Sequence, residues 1–234
     1  PAQADPPHSL VGTMTISLFP MAERTILSLC DHSGAWSKPY QDSGYRVIQV
    51  DISAGMDVRL IPFPGKVHGI LAAPPCDRFC NPSARFWKAA DTLAKASAPE
   101  VGGHVGRWQT SQTLHSLSIA DACLRLAALC NPDWWVLENS IGRLPRWYGE
   151  PRLIIQPFHY AGLADDPSSE NYSKRTCLWG RFNNPGLSEV PQEPMPEHLP
   201  PGRRDRTSRM SSNAKRLRAQ TPTGFSRAFF KANP

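Results

Sequence analysis

A thiol and a carboxyl each follow a short apolar run in this sequence. Pro74-Pro75-Cys76 comes after Val67-His68-Gly69-Ile70-Leu71-Ala72-Ala73, and Glu138-Asn139-Ser140 comes after Trp134-Trp135-Val136-Leu137. Both runs have the β-rich, continuously apolar character of buried parallel strands. In an open α/β sheet, ligands bind beyond the carboxyl ends of the strands, so the two tripeptides can meet at one site. A soft, expellable sulfur nucleophile beside an acid held protonated by burial suits addition to a pyrimidine ring.

The rest of the chain must supply the strands that carry these groups. Thr25-Ile26-Leu27-Ser28-Leu29-Cys30 reads as a strand, Asp31-His32-Ser33-Gly34 as a tight turn, and Trp36 to Ser43 as a short helix interrupted early by Pro39. Arg46-Val47-Ile48-Gln49-Val50-Asp51 is the next strand. An acidic residue about twenty positions after such a turn is what nucleoside-binding α/β domains use for ribose hydroxyls. Residues 77 to 113 lack a long apolar period, contain Gly102, Gly103 and Gly106, and read as a loop beside the site. Leu117, Ala120, Leu124 and Ala127 recur at helical spacing from His115 to Cys130, and Asn131-Pro132 is a stop signal.

Arg152-Leu153-Ile154-Ile155-Gln156 and Thr176-Cys177-Leu178-Trp179-Gly180 supply further strands. Six strand candidates alternating with helices or loops predict an α/β fold with a doubly wound, mainly parallel sheet. Residues 1 to 23 are proline-rich and aperiodic and are read as an extension; residues 24 to 180 form the catalytic domain. Residues 181 to 217, rich in proline and arginine, read as an extended arm. Phe225, Ala228 and Phe229 then mark a short terminal helix docked on the core.

Composition narrows the function classes. With 234 residues, 40% of them hydrophobic and 20% charged, the chain can bury one sizeable core. The net charge of +6 is uneven: Arg203, Arg204, Arg206, Arg209, Lys215, Arg216 and Arg218 crowd one stretch, which points to a polyanionic partner. The six cysteines lie mostly in apolar segments of a chain too large to need disulfide staples, so a reducing, cytoplasmic compartment is expected. Cys76 and Cys80 are the one tight pair and have no matching second pair, so no structural zinc is expected. The sequence has no run of about 18 apolar residues and no leader pattern, which predicts neither a membrane span nor secretion.

Taken in order, these segments resemble the cytosine-5 DNA methyltransferase family. Leu27 to Tyr45 is similar to the family's opening motif, with Cys30 at the usual phenylalanine position, His32 where the first glycine sits, and Ser33 and Gly34 keeping the turn small. Asp51 stands at the acidic position for the ribose of S-adenosylmethionine, and Asp57 in Gly55-Met56-Asp57-Val58 at the acidic position near its adenine. Pro74-Pro75-Cys76-Asp77-Arg78-Phe79 matches the nucleophile motif, and Glu138-Asn139-Ser140 resembles the family's Glu-Asn-Val. Asn171-Tyr172-Ser173-Lys174-Arg175 is similar to Gln-x-Arg-x-Arg with the second arginine kept, and Arg218-Ala219-Gln220-Thr221-Pro222 to the motif after the target-recognition segment. The final Gly-Asn-Ser motif is absent from the sequence.

The resemblance implies a Rossmann-like fold and S-adenosyl-L-methionine as cofactor, held by Cys30, Asp31, His32, Ser33, Gly34, Asp51, Ile52, Asp57, Val58 and Pro74. It implies that Cys76 adds to carbon 6 of a flipped cytosine, that Glu138 supports charge at nitrogen 3, and that Arg175 holds oxygen 2. Arg78, Ser173, Lys174, Arg203, Arg204, Arg206 and Arg209 are the expected DNA contacts, mainly to phosphates. Trp87, Trp108 and Trp147 are candidates to stack on an extruded base. A recognition arm of this length implies low or short sequence specificity, and a small monomeric enzyme of this kind looks like those of bacterial viruses. Three alternatives stay open: the related enzymes that modify cytosine in tRNA, a non-catalytic nucleic-acid-binding relative, suggested by His32, Ser140, Ser173 and the missing last motif, and a cofactor carrying an altered transferable group, which no residue excludes.

Overall fold

A computed structural model describes residues 24–83, 104–194 and 219–234. The extension 1–23, Trp87, most of the glycine-bearing stretch before His104, and Arg203, Arg204, Arg206 and Arg209 of the arm lie outside the described residues. The chain builds one six-stranded sheet from β1 (Thr25–Leu29), β2 (Arg46–Val50), β3 (Gly69–Ala72), β4 (Trp134–Ser140), β5 (Leu153–Ile155) and β6 (Thr176–Arg181), in the order β2-β1-β3-β4-β6-β5. β1 to β4 pair in parallel, whereas β6 runs antiparallel to both β4 and β5. The expected mainly parallel α/β sheet is therefore present, with one reversed strand. Strand periodicity specifies which face a residue occupies but not which way the strand runs, so that reversal was not in the pattern.

The alternation of strand side chains divides the interior into two cores. Leu27, Leu29, Ile70, Ala72, Leu137, Cys177 and Trp179 face one side, and Ile26, Leu71, Trp134, Val136 and Leu178 the other. On the first side lies α2 (His104–Cys130), following the short α1 (Lys38–Asp42) in the chain, and it buries Ala122, Cys123, Leu126, Ala127 and Cys130. Its residues 111–130 are long and apolar enough to cross a membrane by length and composition alone, but this face is packed on the sheet. The helix starts at His104, well before the expected His115. Its added turns expose Leu114 and carry Thr110, Ser111 and Gln112, so no apolar stripe announces them. It ends as expected, with Asn131 at φ +41° ahead of Pro132.

The second side is covered by α1, a 3-10 segment (Pro157–Leu163) and the terminal helix, which follows α3 (Pro145–Tyr148) and α4 (Pro167–Glu170) and is numbered α5 (Thr223–Ala232). Pro39 lies in the first turn of α1, where its missing N–H costs nothing, so it starts the helix rather than interrupting it. Phe225, Ala228 and Phe229 of α5 are all buried, and the Phe229 ring lies 5.6 Å from Trp134 and 5.9 Å from Trp36. Glu170 caps the start of α5, accepting from Thr223 N at 2.6 Å and Gly224 N at 2.9 Å. A carboxylate at a helix N-terminus satisfies otherwise orphaned amides and complements the dipole. Gly69 on β3 pairs with Trp134 of β4, and a Cβ there would meet the indole at 2.2 Å, so glycine makes room for the larger ring. The first residues of the proline-rich arm run along this layer, with Ser188 N donating to His159 O at 2.8 Å and Phe182 buried.

Candidate active site

Strand order locates the site before any side chain is considered. The chain passes from β1 to β2 on one side and then crosses to β3 on the other side of β1. Loops leaving β1 and β3 therefore part company, and the crevice between them is where an open α/β sheet binds its ligand. A cleft of about 610 Å³ opens there. Cys30, Asp31, His32 and Ser33 from the first loop, Asp51, Ile52, Asp57 and Val58 after β2, Pro74 and Cys76 after β3, and Glu138 and Ser140 of β4 all line it.

The turn after β1 is held from beneath. Cys30 has φ +59° and Gly34 φ +69°, and Gly34 N donates to Asp31 O at 3.2 Å. The left-handed region is open to glycine and rarely used by other residues, so Cys30 is held there by its surroundings. Asp31 supplies much of that hold: its buried Oδ2 accepts from Ser28 Oγ at 3.0 Å, Ser37 Oγ at 3.0 Å and Ser37 N at 3.3 Å. Its carboxylate thus works inside the turn. Gly34 shapes the turn without lining the cleft.

Asp51 lies at the end of β2 with its Oδ1 accepting from Ser53 N at 2.9 Å. The exposed His32 ring sits beside it, Nδ1 at 3.7 Å from Asp51 Oδ1 and 2.8 Å from Ser53 Oγ. Ile52 and Met56, both exposed, supply an apolar rim next to this carboxylate. Asp57 is engaged by Arg59, whose Nε lies 2.9 Å from Oδ1, and that hydrogen bonding holds the Asp57 carboxyl down at about 2.

Across the cleft, Cys76 opens a tight turn in which Phe79 N and Cys80 N both donate to Cys76 O, at 2.9 and 3.0 Å. The Cys76 thiol is pushed up, first by a hydrogen bond with Cys80 and then by burial, while Lys174 pulls it down and Glu138 pushes it further up. Cys80 moves the opposite way, held down by that same bond and by Ser83, whose Oγ lies 3.3 Å from its sulfur. Burial raises the Glu138 carboxyl, and Lys174 opposes this. Asn139 ties the two strand ends together, its Nδ2 donating to Pro74 O at 2.9 Å. Gly142 continues the link: it bridges Cys80, and a Cβ there would meet Phe79 O at 1.9 Å.

The structure brings Lys174, not Arg175, to the cleft wall, where it faces Cys76 and Glu138. Arg175 and Ser173 do not line the cleft, and Arg175 is exposed. Arg78 lies on the Cys76 turn with its side chain largely buried and its Nε 3.4 Å from Asp77. Trp147 is partly exposed on α3, its ring 6.0 Å from Phe79, and Trp108 is part of α2. Ala219, Gln220 and Thr221 close the cleft beside Lys174 and Glu138, so the stretch before α5 returns to the site. Sequence reasoning missed Cys80 as a neighbour of Cys76 on the turn, although the i, i+4 spacing was a signal; it also missed Arg59 and His115, which line the cleft with Arg59 Nη1 3.1 Å from His115 Nδ1 and for which no signal was visible.

No protein-family model matches the sequence, and no curated protein matches it.

Proposed function

We propose that the chain is an S-adenosylmethionine-dependent cytosine-5 methyltransferase acting on DNA, built on a Rossmann-like methyltransferase fold. The observation that carries this reading is the single cleft at the strand-order reversal that holds Cys76, Glu138 and Asp51 together. Its volume of about 610 Å³ suits a nucleoside-sized ligand with room for a base. The cofactor fits the residues present: Asp51 offers its second carboxylate oxygen to ribose hydroxyls, and Ile52, Met56 and Val58 offer an apolar wall to adenine. Bound there, S-adenosylmethionine supplies an electrophilic methyl group.

The remaining chemistry belongs to the protein. Carbon 5 of cytosine is a weak nucleophile until sulfur has added to carbon 6; of the two thiols lining the cleft, Cys30 and Cys76, Cys76 is the one near Glu138. Burial raises the Glu138 carboxyl, which favours the protonated form that can donate to ring nitrogen 3 as negative charge develops. Lys174 adds a cation on the same side, in the role expected of Arg175. Loss of the carbon 5 proton then expels Cys76. A cytosine stacked in a duplex cannot reach such a cleft, so the base is flipped out or single-stranded.

The test is mass spectrometry of DNA nucleosides after incubation with S-adenosylmethionine. The expected product is 5-methylcytosine with the wild-type protein and none with Cys76→Ala. Methylation by Cys76→Ala refutes the mechanism, and 5-methylcytosine formed in tRNA but not DNA reassigns the substrate.

A further inference from the structure

One wall of the cleft carries a set of contacts that the mechanism above leaves unused. Arg59 holds Asp57 with its amide, 2.9 Å from Oδ1, and with Nε, 2.9 Å from Oδ1 and 3.1 Å from Oδ2, while Nη2 donates to Oδ2. Its Nη1 lies 3.1 Å from Nδ1 of His115 on α2. A guanidinium has donors and no acceptor, so His115 Nδ1 accepts this bond and the neutral ring carries its proton on Nε2. Arg125, further along the same helix, donates from Nη2 to Arg59 O at 3.4 Å. Arg59 is thus tied to α2 through its side chain and its backbone. Asp57, Arg59 and His115 all line the cleft.

We propose that Arg59 is a specificity-determining residue of this cleft, forming with Asp57 an acceptor–donor edge that selects adenine over hypoxanthine. This rests on the S-adenosylmethionine reading of the same cleft, in which Asp57 lies near the base. Asp57 Oδ1 already accepts from the Arg59 amide and Nε, whereas Oδ2 takes Nη2 and only the longer contact with Nε, which leaves it room for one more donor. Nη1 and Nη2 each keep a second N–H without a partner among the described residues. The wall therefore offers a carboxylate acceptor directly beside charged donors. Adenine presents the matching pair, an amino group that donates and a neighbouring ring nitrogen that accepts. Hypoxanthine sets a carbonyl oxygen against the carboxylate instead, and a site built for hydrogen bonds discriminates strongly against a ligand that leaves them unmade. His115 is a positioning residue: by accepting from Nη1 it fixes the plane of the guanidinium against Asp57.

The test is isothermal titration of the full chain with S-adenosylhomocysteine and S-inosylhomocysteine, which differ only in the base, using the wild type, Arg59→Ala, Arg59→Lys and His115→Ala. The wild type should bind the adenine compound about tenfold or more tightly. Arg59→Ala should lose most of that preference, chiefly through weaker binding of the adenine compound. Arg59→Lys keeps the charge but not the planar fork, so it should not restore the preference. His115→Ala should fall between the wild type and Arg59→Ala. The preference is a ratio of two affinities on one protein, so a loss of folded material cancels from it. A wild-type ratio in Arg59→Ala, or a wild type that binds the two compounds equally or prefers hypoxanthine, overturns the proposal and leaves the cofactor reading standing. A wild type that binds neither compound refutes the cofactor reading and the proposal with it.

Discussion

Asn139 offers a perturbation in which stability and activity separate. Its side chain is fully buried at 0% exposure, with Nδ2 bonded to Pro74 O at 2.9 Å and Oδ1 without a hydrogen-bond partner among the described residues. The Pro74 carbonyl can only accept, which fixes the orientation of the amide. Asn139→Ala therefore acts twice. It orphans the carbonyl, costing about 1–3 kcal/mol, and it removes a buried unpaired oxygen whose desolvation costs about the same. Folding stability should change by about 1 kcal/mol or less, roughly 2–4 °C for a chain of this size. Activity should not be spared, because the lost bond is what fixes the carbonyl two residues before Cys76; a misplacement of about 1 Å costs on the order of 100-fold. Asn139→Asp differs: its carboxylate offers Pro74 O no donor, whereas the protonated acid does. Burial raises the introduced carboxyl, so this variant should be most stable at acidic pH and lose stability as pH rises toward the raised value. Thermal unfolding from pH 4 to 8 and methyl incorporation decide the matter. Wild-type kcat/KM in Asn139→Ala, or a loss that merely follows the unfolded fraction, refutes the argument.

Three further outcomes are expected. Phe229→Ala, at a fully buried ring packed on Trp36, Trp134, Phe182 and Phe225, should destabilise the fold by about 3–5 kcal/mol in chemical denaturation, since α5 is part of the core. The raised Glu138 carboxyl binds its proton more tightly in the folded state, so its stabilisation is full below the ordinary carboxylate range and is lost as pH rises through the raised value. Glu138→Gln should flatten that decline in denaturation curves while lowering methyl transfer about 10²-fold or more. Gly142→Ala drives a Cβ against Phe79 O and should push the Cys76 turn out of place, slowing Cys76 alkylation and lowering the melting temperature together.

Legibility in the sequence followed how local the determinants are. β1 was readable because a strand buried on both faces is written as a mostly apolar run, β2 because Val47, Ile48 and Val50 are β-branched, and the docking of α5 because Phe225, Ala228 and Phe229 share one helical face. The reversal of β6 was not readable, since pairing direction depends on where the chain returns from. The start of α2 at His104 was hidden by the polar run Gln109, Thr110, Ser111, Gln112 and Thr113. At the site, Cys76 and Glu138 were found from strand-end position and chemistry. Lys174 replaced Arg175 at the cleft because neighbouring residues in extended chain face opposite ways, and one residue of register decides which enters. Cys80 was read only as half of a possible metal pair; its bond to Cys76 needs the turn that Phe79 N and Cys80 N close on Cys76 O.

The central claim is that the Cys76 sulfur adds to carbon 6 of cytosine in the cleft shared with Glu138. It is tested most directly with an oligonucleotide carrying 5-fluorocytosine, in which methyl transfer can occur but fluorine cannot leave as a cation, so the adduct is trapped. With S-adenosylmethionine present, the account predicts a stable protein–DNA adduct whose mass includes the added methyl group and whose peptide map places the link on Cys76. It predicts no adduct with Cys76→Ala. An adduct at another cysteine, or methylation of ordinary cytosine by a protein that never forms the adduct, would contradict it.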